Sequence, residues 1–139
     1  MRVRIRSWAY AALAIAAGVA LTAAAQEAAK PQPVERATLG RHDLSGVPGK
    51  EVVIGTATLA PGAVIGFHTH SGDEAGYVVK GSLIWRVRGQ PDKTLKAGDS
   101  FFNPRGSVHS VVGGEGGGTA FSTWIVDKDK PLAEPVSEK

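Results

Sequence analysis

The stretch GAVIGFHTHSGDEAGYVVKG (residues 62–81) carries two of the chain's four histidines, two positions apart, and a glutamate four positions after the second. Side chains two apart on a β-strand point to the same face, so we expect His68 and His70 to project together. The turn sequence SGD follows them, and Glu74 begins the return strand. Three potential metal ligands from one hairpin can therefore converge on one point.

Two imidazoles and a carboxylate are a donor set that suits Mn, Fe, Ni, Cu or Zn. His109 is suggested as a fourth ligand, because it lies five residues after Pro104 and three after Gly106. Proline restricts φ and glycine permits a tight turn, so this segment aims His109 in a defined direction.

These residues resemble the two sequence motifs of the cupin superfamily. The first motif reads G, five residues, H, one residue, H, three or four residues, E, six residues, G, and it is matched by Gly62, His68, His70, Glu74 and Gly81. The second reads G, five residues, P, one residue, G, two residues, H, three residues, N, and it is matched by Gly98, Pro104, Gly106 and His109. Gly113 stands where the family usually has asparagine, which is not a metal ligand there. The resemblance covers residues 51–127.

The resemblance implies an all-β fold, a small antiparallel jelly-roll barrel of six to eight strands. It also implies one divalent transition metal inside the barrel, held by His68, His70, Glu74 and His109. Mn or Fe is favoured because six-coordinate ions keep two positions open, and Ni, Cu and Zn stay as alternatives. A tetrahedral Zn site with four protein ligands would be closed. The other interpretation is a polar cluster in a family member that has lost its metal.

The rest of the chain agrees with an antiparallel barrel or sandwich. From Glu35 onward, short β-type runs alternate with Gly/Pro turns at intervals of roughly ten residues, which is typical of such folds. The run GGEGGG (residues 113–118) is predicted to be a flexible loop. The polar stretch KDKPLAEPVSEK (residues 128–139) is predicted to run over the surface.

The N-terminal segment, residues 1–25, has the pattern of a secretory signal peptide. Three arginines precede an uncharged run from Trp8 to Leu21, and AAA then provides an A-x-A site before Gln26. The alternative is an uncleaved anchor, because the uncharged stretch reaches the lower length limit for a membrane span. We therefore expect a periplasmic or secreted protein that meets the membrane only before cleavage. The predicted organisation is signal peptide 1–25, flexible arm 26–34, cupin barrel domain 35–127 and polar C-terminal tail 128–139.

The charge of the chain beyond the leader is balanced. Of 16 Lys and Arg, three lie before Gln26, which leaves 13 against 13 Asp and Glu. These charges alternate without a basic block, so nucleic-acid binding has no support. There is no cysteine and hence no disulfide. A small barrel must protect its strand edges, so we expect a homodimer that covers apolar surface from Phe67, Trp85, Phe121 and Trp124.

Several further residues receive no role at the metal, namely His42, Tyr77, Arg86, Arg88, Phe101, Phe102 and Arg105. His42 and Arg105 are interpreted as surface residues and Tyr77 as a packing residue. At least one of Phe101 and Phe102 should face the barrel interior. Arg86 and Arg88 are expected in solvent, because charged residues are almost never buried unpaired. The alternative is that these two arginines line the barrel and clamp a carboxylate.

Three imidazoles and one carboxylate leave a divalent centre with a net charge near +1. Such a centre attracts small anions and lowers the pKa of bound water or of an enolisable substrate. The sequence thus favours a metal-dependent enzyme acting on a small oxygen-bearing or anionic molecule. Because a fold does not specify a reaction, the dioxygenase, lyase, decarboxylase and isomerase types that the resemblance implies all stay open, and no catalytic residue is assigned. The alternatives are a binding module without turnover and a purely structural metal.

Overall fold

The computed structural model describes residues 34–138, which form eight strands and no helix. The strands are β1 (Val34–Asp43), β2 (Lys50–Leu59), β3 (Val64–Thr69), β4 (Asp73–Val87), β5 (Lys93–Lys96), β6 (Ser100–Asn103), β7 (His109–Asp127) and β8 (Glu134–Pro135). The predicted signal peptide lies outside the described residues, as does the predicted arm apart from Val34, where β1 begins. Within residues 34–138 no helix is long and apolar enough to span a membrane.

The long strand β7 is the centre of the sheet, because it pairs with β2, β3 and β4. All pairs are antiparallel, and the order runs β1-β2-β7-β3-β8, with β4 pairing also with β5 and β6. The β-branched runs that predicted the strands fit this pleated, half-buried environment. The all-β antiparallel barrel predicted from the sequence is therefore confirmed.

The hydrophobic core lies inside the barrel, beside the histidines. Its buried members are Leu59, Ala63, Val78, Leu83, Trp85, Phe101, Val111 and Ala120. The Trp85 and Phe101 rings stack with centroids 4.0 Å apart. Phe101 is 9% exposed and Phe102 is 62% exposed, so one of this pair faces inward as predicted. Trp85 also stacks on His109 at 5.9 Å, and the core thus continues directly into the histidine cluster.

The glycine-rich run 113–118 lies inside β7, so the prediction of a flexible loop is wrong. A Cβ atom at Gly113 would lie 2.0 Å from the Ala60 carbonyl oxygen, and one at Gly118 would lie 2.6 Å from the Ser82 carbonyl oxygen. Only a backbone without side chains can pass this close to its neighbours. Residues 114–117 stand opposite Ser82 alone, between the pairs Gly81↔Gly118 and Leu83↔Gly113, so the run forms a bulge in the strand.

The exposed apolar surface is not the one that the sequence indicated. Trp85 is buried, and Phe67, Phe121 and Trp124 are half-buried. The large apolar side chains that reach solvent on β4, β6 and β7 are Tyr77, Val79, Phe102 and Ile125. A homodimer stays a prediction, and the exposed apolar side chains on the outward face of these strands are the surface that it would cover.

The close approach at Gly113 generates a stability prediction. Gly113→Ala should lower the free energy of unfolding by about 1–3 kcal/mol, because the added methyl group meets backbone that must shift. Gly116 is the matched control, since a Cβ atom there meets nothing within 4 Å. Gly116→Ala should change stability by less than about 0.5 kcal/mol. Urea denaturation measures both, and equal small effects would mean that the run is a loop after all.

Candidate metal centre

Three histidines meet at one side of the barrel interior. His68 lies on β3 directly opposite His109 on β7, and His70 follows just after the end of β3. The ring centroids are 4.3 Å apart for His68 and His109, 4.9 Å for His68 and His70, and 5.1 Å for His70 and His109. Their potential ligand atoms all lie within 4.8 Å of one another. The three histidines are therefore positioned to bind one metal ion.

Each imidazole is oriented by a backbone carbonyl. The Nδ1 atoms of His68, His70 and His109 donate to the carbonyl oxygens of Gly66 (2.8 Å), Leu132 (2.5 Å) and Ser107 (3.0 Å), respectively. When Nδ1 of a neutral imidazole carries the proton, the lone pair lies on Nε2. All three Nε2 atoms are thus available as ligands, with the second nitrogen held as is usual at protein metal sites.

Glu74 lies beside two of the histidines and is 3% exposed. Its Oε2 atom is 3.2 Å from Nε2 of His109 and 3.4 Å from Nε2 of His70. Burial alone would raise the pKa of the Glu74 carboxyl, but the hydrogen bonds that His109 and His70 donate from Nε2 when they are protonated hold it well below the ordinary value. The side chain is therefore an ionised acceptor at the cluster, and its coordination of a metal stays a prediction.

The histidines differ in their tendency to take a proton. Burial lowers the pKa of His68 to about 4, so this imidazole is neutral at physiological pH and keeps its lone pair. Burial also acts to lower the pKa of His70, but hydrogen bonds with Glu74 and the Leu132 carbonyl raise it above the ordinary value. The carboxylate of Glu74 thus favours positive charge at its side of the cluster, whether that charge is a proton or a metal ion.

Asn103 supports the carboxylate and was missed by the sequence analysis. This residue is 2% exposed, its Nδ2 donates to Oε2 of Glu74 at 2.8 Å, and its Oδ1 accepts from Nε1 of Trp85 at 3.2 Å. A buried carboxylate held in this way keeps one orientation. Strand alternation could have found it, because Asn103 lies two positions after Phe101 and so shares the inward face.

A cavity of about 470 Å³ opens beside the cluster. The three histidines and Glu74 form part of its wall, and much of the remainder is apolar, including Leu59, Ile65, Phe67, Val111, Ala120 and Leu132. Among the described residues that line it, Arg36 on β1 is the single arginine or lysine. A largely apolar cavity with a few polar groups on one wall is the usual form of a small-molecule site.

The C-terminal segment returns to the cavity and does not simply run over the surface as predicted. His68 and Thr69 on β3 pair with Pro135 and Glu134 of β8, and the Val136 amide donates to the Phe67 carbonyl oxygen. The unpaired edge of β3 offers the backbone groups that this segment satisfies. Leu132, Ala133 and Pro135 therefore become part of the cavity wall.

The other residues considered in the sequence lie away from this wall. Tyr77 faces outward against Phe121, with ring centroids 5.7 Å apart, and His42 is exposed on β1. Arg86 pairs with Asp92 at 3.0 Å, and Arg105 with Asp127 at 2.6 Å. Arg88 lies over the Phe67 ring, 5.5 Å from its centroid. Neither Arg86 nor Arg88 lines the cavity, so the carboxylate clamp considered as an alternative is wrong.

Comparisons with known proteins agree with this architecture. Residues 55–126, about half of the chain, match the family model of the cupin domain. The auxin-binding protein ABP19a of Prunus persica is 40% identical over 76 residues, which are 51% of this chain and 36% of that protein. The chain thus spans about a third of the length of this curated relative.

Solved structures show the same fold. A cupin-like protein from Thermotoga maritima superposes with a TM-score of 0.59 and 26% identity, over 75% of this chain and 76% of that one. Oxalate oxidase in complex with the substrate analogue glycolate superposes with a TM-score of 0.58 and 22% identity, over 78% and 57% of the two chains.

The carbonyl of Leu132 generates a prediction about metal affinity. Deleting residues 131–139 removes the acceptor of His70 Nδ1, so this ring loses its fixed tautomer and orientation. We expect metal affinity to fall about 10- to 100-fold, as for other supports of metal ligands. Competition with a chromogenic chelator measures the loss. Deleting residues 138–139 alone keeps Leu132 and should leave affinity unchanged, and equal affinity of both truncated chains would contradict the role of the carbonyl.

Proposed function

The chain belongs to the cupin family, and from that premise we propose that it is a metal-dependent enzyme acting on a small oxygen-bearing or anionic molecule inside the barrel. His68, His70, His109 and Glu74 hold one divalent transition metal. The observation that carries the proposal is the placement of three Nε2 lone pairs and one carboxylate on the wall of a cavity of about 470 Å³. That volume accommodates a small molecule next to the ligands.

The donor set fits a transition metal with open positions. Imidazole nitrogen and carboxylate oxygen favour Mn or Fe here, and Ni, Cu or Zn are the alternatives. A bound metal of this kind supplies Lewis-acid or redox chemistry to an oxygen-bearing ligand. Asn103 keeps the Glu74 carboxylate in one orientation through its 2.8 Å hydrogen bond. The apolar residues of the wall lower the local dielectric constant, which strengthens the electrostatic interactions at the cluster.

The charges favour an anionic substrate. Three neutral imidazoles and one carboxylate leave a divalent centre with a net charge near +1, and Arg36 adds a second positive charge to the lining. The apolar residues that line the cavity between the cluster and Arg36 suit the carbon skeleton of a compact organic molecule. A substrate held by an oxygen atom beside a Lewis acid is compatible with reactions of the dioxygenase, lyase, decarboxylase and isomerase types.

A second candidate function is binding without turnover. Among the described residues that line the cavity, no carboxylate, histidine, tyrosine, lysine or cysteine stands apart from the four predicted ligands. An enzyme of this kind must then move protons through a ligand, a bound water or the substrate. The relative from Prunus persica is named for binding auxin, which also favours this candidate. Turnover under exchange of the metal separates the two, because a binding module has none with any metal.

The metal site itself is tested by substitution. Changing His68, His70, Glu74 or His109 to Ala should each reduce the metal content of the purified protein sharply, while His42→Ala should not, because His42 is exposed outside the cluster. An ion that binds only the folded site stabilises it by about 3–4 kcal/mol at a hundred to a thousand times its Kd. A chelator should therefore lower the Tm of the unmodified protein and leave His109→Ala nearly unaffected. Retention of metal by all four variants would exclude the site.

The openness of the site is tested with a small anion. Oxalate added to protein loaded with Mn or Fe should change the spectrum of the metal by displacing water, and this change should be absent in the four ligand variants. The reason is that four protein donors leave two positions of a six-coordinate ion free. A fully loaded protein whose spectrum oxalate leaves unchanged would have a closed, purely structural metal.

Export to the periplasm or the cell exterior is part of the proposal. It rests on the leader pattern of residues 1–25, and the mature chain should begin at Gln26. Intact-mass measurement on protein from the periplasmic fraction gives the cleavage site directly. A mass that still includes residues 1–25 would show an anchor in place of a cleaved signal peptide.

A further inference from the structure

The indole of Trp124 points its N–H group at the histidine cluster. Trp124 lies on β7 opposite Glu74 of β4, and its Nε1 donates to Nε2 of His70 at 3.3 Å. The ring also lines the cavity. Gly55 on the neighbouring strand β2 makes room for it, because a Cβ atom there would lie 3.2 Å from the indole Cζ3. The position of the indole is therefore determined by its neighbours on two strands.

The hydrogen bond between Trp124 and His70 competes with metal binding. Nδ1 of His70 donates to the Leu132 carbonyl, so the neutral ring, which is the form that binds a metal, has a single lone pair, on Nε2. A lone pair that accepts the indole N–H cannot coordinate a metal at the same time. When Nε2 of His70 serves as a ligand, as the proposed function requires, the N–H of Trp124 is left without its acceptor.

A freed indole N–H at this place needs a new acceptor. An unsatisfied donor away from water is costly, so structures rarely leave one. The Glu74 oxygen nearest the histidines accepts from Asn103 and, in the proposed function, its other lone pair coordinates the metal. The cavity wall around the indole is largely apolar, with Ala57, Ala120 and Leu132 among its members. The acceptors that remain are the hydroxyl groups of Thr38, Thr56 and Ser122 in the lining, water in the cavity, and the molecule that occupies it.

We propose that Trp124 donates a hydrogen bond to an oxygen atom of the small anion bound beside the metal, and thereby positions that anion. The inference rests on the proposed function and adds a selectivity. Indole nitrogen is a donor only, so it favours an acceptor such as a carboxylate or enolate oxygen and disfavours an ammonium or amide N–H at the same place. Trp124 is thus a specificity-determining residue of the site.

The variant Trp124→Phe removes the N–H and keeps an aromatic ring. Metal affinity should be equal to or higher than that of the unmodified protein, because the competitor for His70 Nε2 is gone. The affinity of the Mn-loaded protein for oxalate should fall about tenfold, a reasonable loss for a hydrogen bond to a charged acceptor. Calorimetric titration measures both affinities. Tyr77→Phe is the matched control, because Tyr77 is an aromatic donor on the outward face, and it should alter neither.

A second measurement follows the indole N–H itself. The chain has three tryptophans, and the ¹H–¹⁵N signal lost in Trp124→Phe identifies the one of interest. With Cd²⁺, a diamagnetic ion that accepts six ligands, the Trp124 signal should move on metal addition and again on addition of oxalate.

The outcomes separate this inference from the proposal on which it rests. If oxalate binds the loaded protein but leaves the Trp124 signal unmoved, or binds Trp124→Phe as tightly, Trp124 does not contact the anion and only this inference falls. If the metal-loaded protein binds no oxalate at all, the proposal of an open metal site is wrong, and so is the inference about Trp124 that rests on it. A tenfold loss in the variant together with a second shift of the signal supports both.

Discussion

The site depends on three hydrogen bonds from imidazole nitrogen to backbone carbonyl oxygen. Each one holds a ring in a single orientation and leaves its Nε2 lone pair directed into the cluster. The three carbonyls belong to Gly66 on β3, Ser107 in the turn before β7, and Leu132 in the C-terminal segment. Backbone segments that look like connections are therefore parts of the site, because the imidazoles would otherwise be free to rotate or to exchange tautomers.

The polar cluster and the hydrophobic core support each other. Trp85 stacks on Phe101 in the core and on His109 in the cluster, and its N–H holds Asn103, which in turn holds Glu74. Buried polar groups are tolerated only when their hydrogen bonds are made, and this chain of contacts makes them. Packing at Trp85 consequently sets the direction of a carboxylate that lies beyond it.

Strand alternation and the local turn predicted the hairpin around residues 62–81 and the shared face of His68 and His70. The barrel and the meeting of these two residues with His109 were implied by the resemblance of the two motifs to the cupin superfamily. The same strand alternation would also have placed Asn103 on the inward face of its strand. The path of residues 113–118 could not be predicted in this way, since it depends on Ala60, which follows β2, and on Ser82 of β4. The position of Leu132 likewise depends on the free edge of β3, which no local pattern in the tail reveals.

The cavity beside the histidines bears on whether a bound metal would be structural or functional. Protein interiors are packed as densely as organic crystals, and voids cost stability. A metal that only joined β3 to β7 would need its ligands and no open space, so a barrel built around it could close over Ile65, Val111 and Leu132. The chain instead keeps about 470 Å³ beside the Nε2 atoms, with Arg36 among the residues that line it. An apolar volume retained next to such a cluster supports the proposal that a small molecule enters it.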